Sequence, residues 1–142
     1  MFAIINGPNL NMLGKREPAI YGSVSFDDYL KNLRSKFSGL EIEYFQSNNE
    51  GEIIDKLQEL GFNRPDCKGI VINPGAYAHY SYAISDALAS INLPVVEVHI
   101  SNIYKREEFR HHSVTAPNCI GVISGLGLES YSLALRYLQN NS

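Results

Sequence analysis

Residues 2–5, Phe-Ala-Ile-Ile, form an uninterrupted apolar run that stops at Asn6-Gly7-Pro8. A short run of this kind, closed by turn residues, reads as a strand buried on both faces of a parallel sheet. Working outward, Ser25 is a suitable N-cap for the next helix, Asp27 and Asp28 suit the positive end of its dipole, and Phe26, Tyr29, Leu30, Leu33 and Phe37 share one face before Gly39. That is one βα unit, and its period recurs. Leu40–Gln46 alternates in part as a second strand, and Ile53, Ile54, Leu57 and Leu60 predict a helix that stops at Gly61. Gly69–Ile72 is a third strand, followed by a helix with Ala83, Ile84, Ala87, Leu88 and Ile91 inward; Pro94–Val98 and Cys119–Ile123 are the fourth and fifth. Leu128, Tyr131, Leu135 and Leu138 mark a closing helix.

Strands alternating with helices predict an α/β fold, a flavodoxin-like three-layer sandwich with a five-stranded parallel sheet. The 142 residues suit one domain, 1–142, with a core of its own. A net charge of −3, from 12 Lys+Arg against 15 Asp+Glu, supplies no basic field for nucleic acid or an anionic membrane. A small anionic ligand would need a local basic pocket. Cys67 and Cys119 lack the spacing of a zinc site and read as reduced structural thiols. No run approaches transmembrane length and no signal peptide precedes the first strand, so the expected location is cytoplasmic.

In such a sheet, ligands bind beyond the carboxyl ends of the strands, and polar residues collect there in three loops. The first, NGPNLNMLGKREPAIYG at 6–22, is far longer than an ordinary βα connection and reads as a lid over about 9–22, turning at Gly14, Pro18 and Gly22. It carries Arg16 and Tyr21, and a cation beside a phenol favours the phenolate. The second, NPGAYAH at 73–79, places Asn73 at a strand end and His79 at the opening of a helix. The third begins EVHIS at 97–101 and continues through Arg106 and Arg110, four apart and on one face if helical. Glu97 and His99 alternate onto one side of the strand, where the carboxylate orients the imidazole and supports its protonated form. Taken singly, each motif has a plainer reading: a surface arginine, a turn with a capping histidine, a solvated helix start. Their coincidence at one sheet edge favours a site. His111 and His112 are adjacent, cannot face one pocket from a helix, and read as surface or interface residues.

The motifs NGPNLNMLGKREPAIYG, FQSNNEGEIID, NPGAYAHYSYAISDAL, EVHISN and REEFR, in this order over nearly the whole chain, resemble those of the type II 3-dehydroquinate dehydratases. The resemblance implies conversion of 3-dehydroquinate to 3-dehydroshikimate by anti elimination of water through an enolate, without metal or cofactor. It implies that Tyr21 is the base, that Arg16 tunes it and that Arg106 assists. Asn9 would position a water and stabilise the enolate oxygen, while His99, held by Glu97, would protonate the departing hydroxyl. Asn73, His79, Ile100, Ser101 and Arg110 would bind substrate, with the Ile100 and Ser101 amides receiving its carboxylate. Asp86 resembles a residue that completes a neighbouring subunit's site, in a dodecamer built from trimers. Ala78, Tyr80 and Tyr82 are less usual for the family. A dehydration of this kind needs a base, a dipole at the developing oxyanion and an acid for the leaving group, which Tyr21, Asn9 and His99 would supply. The rival reading is a binding or signalling module on the same fold, a flavin carrier or phospho-receiver, whose hydroxyl-rich or acidic loop after the first strand is missing here.

Overall fold

The computed structural model describes residues 1–142. Its sheet contains β1 (Phe2–Asn6), β2 (Ile42–Gln46), β3 (Ile70–Asn73), β4 (Val95–His99) and β5 (Gly121–Ser124). All neighbours are parallel, in the order β2-β1-β3-β4-β5. The helices are α1 (Pro18–Tyr21), α2 (Phe26–Lys36), α3 (Glu50–Gln58), α4 (Tyr82–Ser90) and α5 (Glu129–Asn140). This is the flavodoxin-like α/β arrangement, and its strand order reverses between β1 and β3.

Period-two alternation along β1 builds both outer layers. Phe2 and Ile4 pack with Phe26, Leu30 and Leu33 of α2 and with Tyr131, Leu135 and Leu138 of α5. Ala3 and Ile5 face the opposite layer, with Ile53 and Leu57 of α3 and Ile84 and Leu88 of α4. Each aliphatic side chain fully buried this way contributes roughly 1.5–3 kcal/mol. Local signals fit the packing: the Ser25 hydroxyl accepts the Asp28 N–H at 3.2 Å, and Asn49 and Ser81 cap α3 and α4.

Three expectations need correction. The helical path does not stop at Gly61 but continues from α3 through a π-helical turn, Glu59–Asn63. Gly61 is required by packing, since a Cβ there would lie 2.3 Å from Ile91 Cγ2. Ala83, at the edge of its stripe in the first turn of α4, is exposed, and Ser85 lies inward instead. The fifth strand begins at Gly121, after a 3-10 turn at Ala116–Asn118, and is a sheet edge on which Ile120 and Val122 remain exposed.

The loops leaving β1 and β3 are pressed together where the strand order reverses. The Gly7 N–H donates to the Asn73 carbonyl at 2.8 Å, and a Cβ on Gly7 would sit 2.5 Å from the Pro74 carbonyl oxygen. Backbone atoms cannot yield as a flexible side chain does, so Gly7→Ala should destabilise the fold by about 1–3 kcal/mol. Chemical denaturation reads this directly, and an unchanged midpoint and slope would contradict the close approach.

Candidate active site

The floor of the cleft is a buried polar group between β1, β3 and α5. The Tyr131 hydroxyl donates to Asn6 Oδ1 at 2.7 Å and accepts from Asn73 Nδ2 at 2.9 Å. Burial pushes the Tyr131 phenol far up, so it remains a protonated donor. Asn73 Oδ1 accepts the Gly75 N–H at 3.1 Å, leaving one Nδ2 hydrogen of Asn73 for a ligand. Asn9 sits beside this floor in the left-handed region, φ 69°, a conformation asparagine tolerates, with its N–H on Asn48 Oδ1 at 3.0 Å.

One wall is the end of β4. Glu97 is fully buried, and its Oε2 lies 2.8 Å from His99 Nε2 and accepts from Ser113 Oγ at 2.8 Å, while Oε1 accepts from Thr115 Oγ1. Burial alone would raise the Glu97 carboxyl. The hydrogen bonds from His99, Thr115 and Ser113, with the His99 charge, outweigh it and hold the carboxyl below its ordinary range. With Nε2 engaged, Nδ1 is the nitrogen of His99 left for a ligand. The His79 ring stacks on His99 with centroids 6.3 Å apart, and its Nδ1 meets the His112 carbonyl at 2.9 Å. Burial, aided by the His99 and Arg110 charges and opposed by that carbonyl, lowers the His79 imidazole below its usual value. A neutral ring donating from Nδ1 presents Nε2 as an acceptor.

The opposite wall is cationic. Arg106 Nη1 donates to the Tyr21 hydroxyl at 2.7 Å and to Ser101 Oγ at 3.3 Å. Arg106 and Arg16 flank the Tyr21 ring, with Cζ atoms 5.4 and 5.5 Å from its centroid. Arg16 also pairs with Glu17 at 2.9 Å, and Arg110 with Glu107, both on the solvent side. Tyr21 ends α1, which Pro18 starts and Gly22, at φ 84°, terminates. None of the residues lining the cleft is acidic, so a chain of net charge −3 carries a locally positive pocket.

The three loops converge here. Asn9, Arg16, Tyr21, Asn73, His79, His99, Ile100, Ser101, Arg106 and Arg110 all line one cleft, with Glu97 directly behind His99. Two local expectations differ. Arg106 and Arg110 do not lie on one helix; Arg106 follows the 3-10 turn Ile103–Lys105 in extended backbone, and Arg110 closes a separate turn, Glu108–Arg110. His79 closes the 3-10 turn Gly75–His79, and Ser81 caps α4 in its place. Asp86 lies exposed on α4, outside the cleft of its own chain. Sequence reasoning missed Ser113, Thr115 and the polar role of Tyr131, and it gave no local role to His111, whose Nε2 meets the Arg106 carbonyl at 3.0 Å. A serine and threonine beyond the last recognised motif carry no pattern of their own. Tyr131 had the wider signal, being the one phenol in an otherwise aliphatic stripe.

A flavodoxin-like sheet with a cation-flanked phenol and a carboxylate-held imidazole lining one cleft defines an α/β protein with an acid–base pocket of positive character. Its particular kind follows from comparison: the chain belongs to the class II dehydroquinase family, whose model matches residues 1–139, and is a hydro-lyase. The 3-dehydroquinate dehydratase of Caldicellulosiruptor bescii is 59% identical over 138 residues, covering 96% of this chain and 94% of that one. That of Bacillus pumilus is 58% identical over 139 residues, covering 96% and 92%. The crystal structure of the type II dehydroquinase from Butyrivibrio crossotus superposes with a TM-score of 0.91 at 54% identity, over 97% of this chain and 96% of that one. A 3-dehydroquinate dehydratase-like protein from Bifidobacterium longum gives 0.69 at 30% identity, over 98% and 94%.

The lowered Glu97 carboxyl has a thermodynamic signature. A group whose value is depressed by folding stabilises the fold fully above its unfolded value, ~4.3 for glutamate, and loses that contribution as pH falls through the folded value. The unfolding free energy of the wild type should therefore drop more steeply below about pH 4.3 than that of Glu97→Gln. Parallel slopes in denaturant titrations across this window would show that the buried network does not favour the anion.

Proposed function

We propose that this chain dehydrates 3-dehydroquinate to 3-dehydroshikimate by anti elimination through an enolate, using side chains alone. The observation that carries the reading is the pairing across one cleft of Tyr21, hydrogen-bonded to Arg106 at 2.7 Å, with His99, held by Glu97 at 2.8 Å. Tyr21 is the cleft side chain placed to accept a proton, with Arg106 donating to its oxygen and Arg16 beside its ring. Tyr21 takes the proton from the carbon next to the ketone, and the electron pair moves onto the carbonyl oxygen as an enolate. Asn9, with a bound water, meets the negative charge developing there. The enolate then collapses, the carbon–oxygen bond on the opposite face breaks, a carbon–carbon double bond forms, and His99 delivers its proton so that hydroxide leaves as water.

Substrate recognition follows from the same walls. The amides of Ile100 and Ser101 receive the carboxylate, Arg110 adds charge, and Asn73 and His79 bind hydroxyls. Residues 9–22 close as a lid, bringing Arg16 and Tyr21 over the substrate and excluding water. The subunits assemble as trimers within a dodecamer, where Asp86, exposed on α4, reaches a neighbour's site. The enzyme works in the cytoplasm, in the shikimate pathway or in quinate breakdown.

Tyr21→Phe should lower kcat by roughly 10²–10⁴ while leaving binding of product-like acids nearly intact. The two arginines should not be equivalent. Arg106→Ala removes a charged donor from the phenol oxygen and should cost about 10–100-fold in kcat. Arg16→Ala should cost less, because Arg16 is partly committed to Glu17. A fully active Tyr21→Phe variant would exclude Tyr21 as the base, and a larger loss for Arg16 would reverse the assignment of the two cations. Activity is also expected to survive exhaustive chelation and borohydride added with substrate, since neither a metal nor a lysine imine lies on the path. Loss in chelator restored by one particular metal would contradict this.

A further inference from the structure

Glu97 is a carboxylate with no exposed surface, and three side-chain donors meet its two oxygens. Oε2 faces His99 Nε2 and Ser113 Oγ, each at 2.8 Å, and Oε1 receives Thr115 Oγ1. An ionised carboxylate can only accept, and each hydroxyl owns a single hydrogen, so both hydroxyl hydrogens point at Glu97. The Ser113 oxygen also accepts the Ala116 N–H at 3.0 Å, which ties it to the turn ahead of β5. Thr115 is itself fully buried.

We propose that Ser113 and Thr115 are positioning residues for the dehydration: they fix Glu97 as an anion in one orientation, so that it holds Nε2–H of His99 and turns Nδ1 toward the substrate. The inference rests on His99 being the proton donor of the proposed function. The ion pair and the neutral pair of His99 and Glu97 contain the same number of protons and differ only in which partner holds one. Hydroxyl donors on Glu97 favour the proton on His99, the arrangement able to protonate a departing hydroxide. Removing a donor leaves a buried oxygen without compensation for its lost hydration and moves the balance toward a protonated Glu97.

The groups facing this pair from other elements do not replace the hydroxyls. His79, stacked 6.3 Å from His99, and Arg110 approach from the loops after β3 and β4 and are cationic or neutral. Arg106, Arg16 and Tyr21 line the same cleft and bring only cations and a phenol. Cys119 lies ahead of β5, where burial first and the Glu97 charge second raise its thiol to about 12, so it stays protonated and neutral.

The test uses the full-length protein with 13C-labelled glutamate and the variants Thr115→Val, Thr115→Ser and Ser113→Ala. In Thr115→Val the Glu97 carboxyl should titrate about one pH unit higher than in the wild type, the size expected for losing one hydrogen bond to a charged group. With 3-dehydroquinate, the alkaline limb of kcat should move to higher pH, because a Glu97 with fewer donors holds the proton shared with His99 more tightly, with little change in KM. Thr115→Ser keeps the hydroxyl and should restore both readouts. If Thr115→Val does not fold, Ser113→Ala removes a donor from the other oxygen and is read in the same way. An unmoved Glu97 titration and alkaline limb, or the same shift in Thr115→Ser, would overturn the proposal and leave these residues as packing. Absence of dehydratase activity in the wild type would instead defeat the proposed function, and the carboxyl titration would still decide the role of the hydroxyls.

Discussion

The two hydrogen bonds of the Tyr131 hydroxyl, to Asn6 at 2.7 Å and from Asn73 at 2.9 Å, join the carboxyl ends of β1 and β3 where the strand order reverses. Both loops that leave this point carry groups of the cleft, Asn9 to Tyr21 on one side and Gly75 to His79 on the other. Buried amides at strand ends must be paired, and the phenol of α5 meets both demands at once, as donor to one and acceptor from the other. The close approach of Gly7 to Pro74 depends on the same join. A sheet that opened here would separate the loop carrying Asn9, Arg16 and Tyr21 from the one carrying His79, and the cleft would cease to exist as one site.

Charge is arranged with the same economy. Glu17 and Glu107 engage Arg16 and Arg110 from the solvent side, and the buried Glu97 is committed to His99. No carboxylate is left to line the cleft, which allows a chain of net negative charge to present a positive basin to an anionic substrate. The phenol–guanidinium and imidazole–carboxylate pairs then differ in depth. Tyr21 sits on a four-residue helix with no buried member, whereas His99 and Glu97 end a fully buried strand. The proposed base therefore belongs to a lightly packed segment, and the proposed acid to a tightly packed one.

Much of this was legible in the residues. Apolar runs of the kind seen at Phe2–Ile5 locate β1, β3 and β4 to within a few residues, because a strand buried on both faces has no polar positions to confuse with another element, whereas β2 shows only partial alternation and β5 is a half-exposed edge. The site loops were legible because their polar residues fall at strand ends. The remainder depends on contacts between distant segments. Thr115 and Glu97 are eighteen positions apart and meet only after β4 and the approach to β5 are folded side by side. Gly61 looked like a helix stop, but its meaning comes from Ile91 across the layer. Arg106 and Arg110 both line the cleft, but not through the helical spacing their sequence suggests, since two tight turns bring both side chains to it. Tyr131 was assigned by its hydrophobic stripe, which describes its ring and says nothing of its hydroxyl.

The central claim is that the groups gathered at this sheet edge eliminate water from 3-dehydroquinate. Its most direct test is to mix the purified protein with 3-dehydroquinate and follow ultraviolet absorbance of the conjugated enone. The account predicts a rise whose initial rate is proportional to enzyme concentration and persists without added metal or cofactor. No rise at any enzyme concentration, from protein shown to be folded, would contradict it.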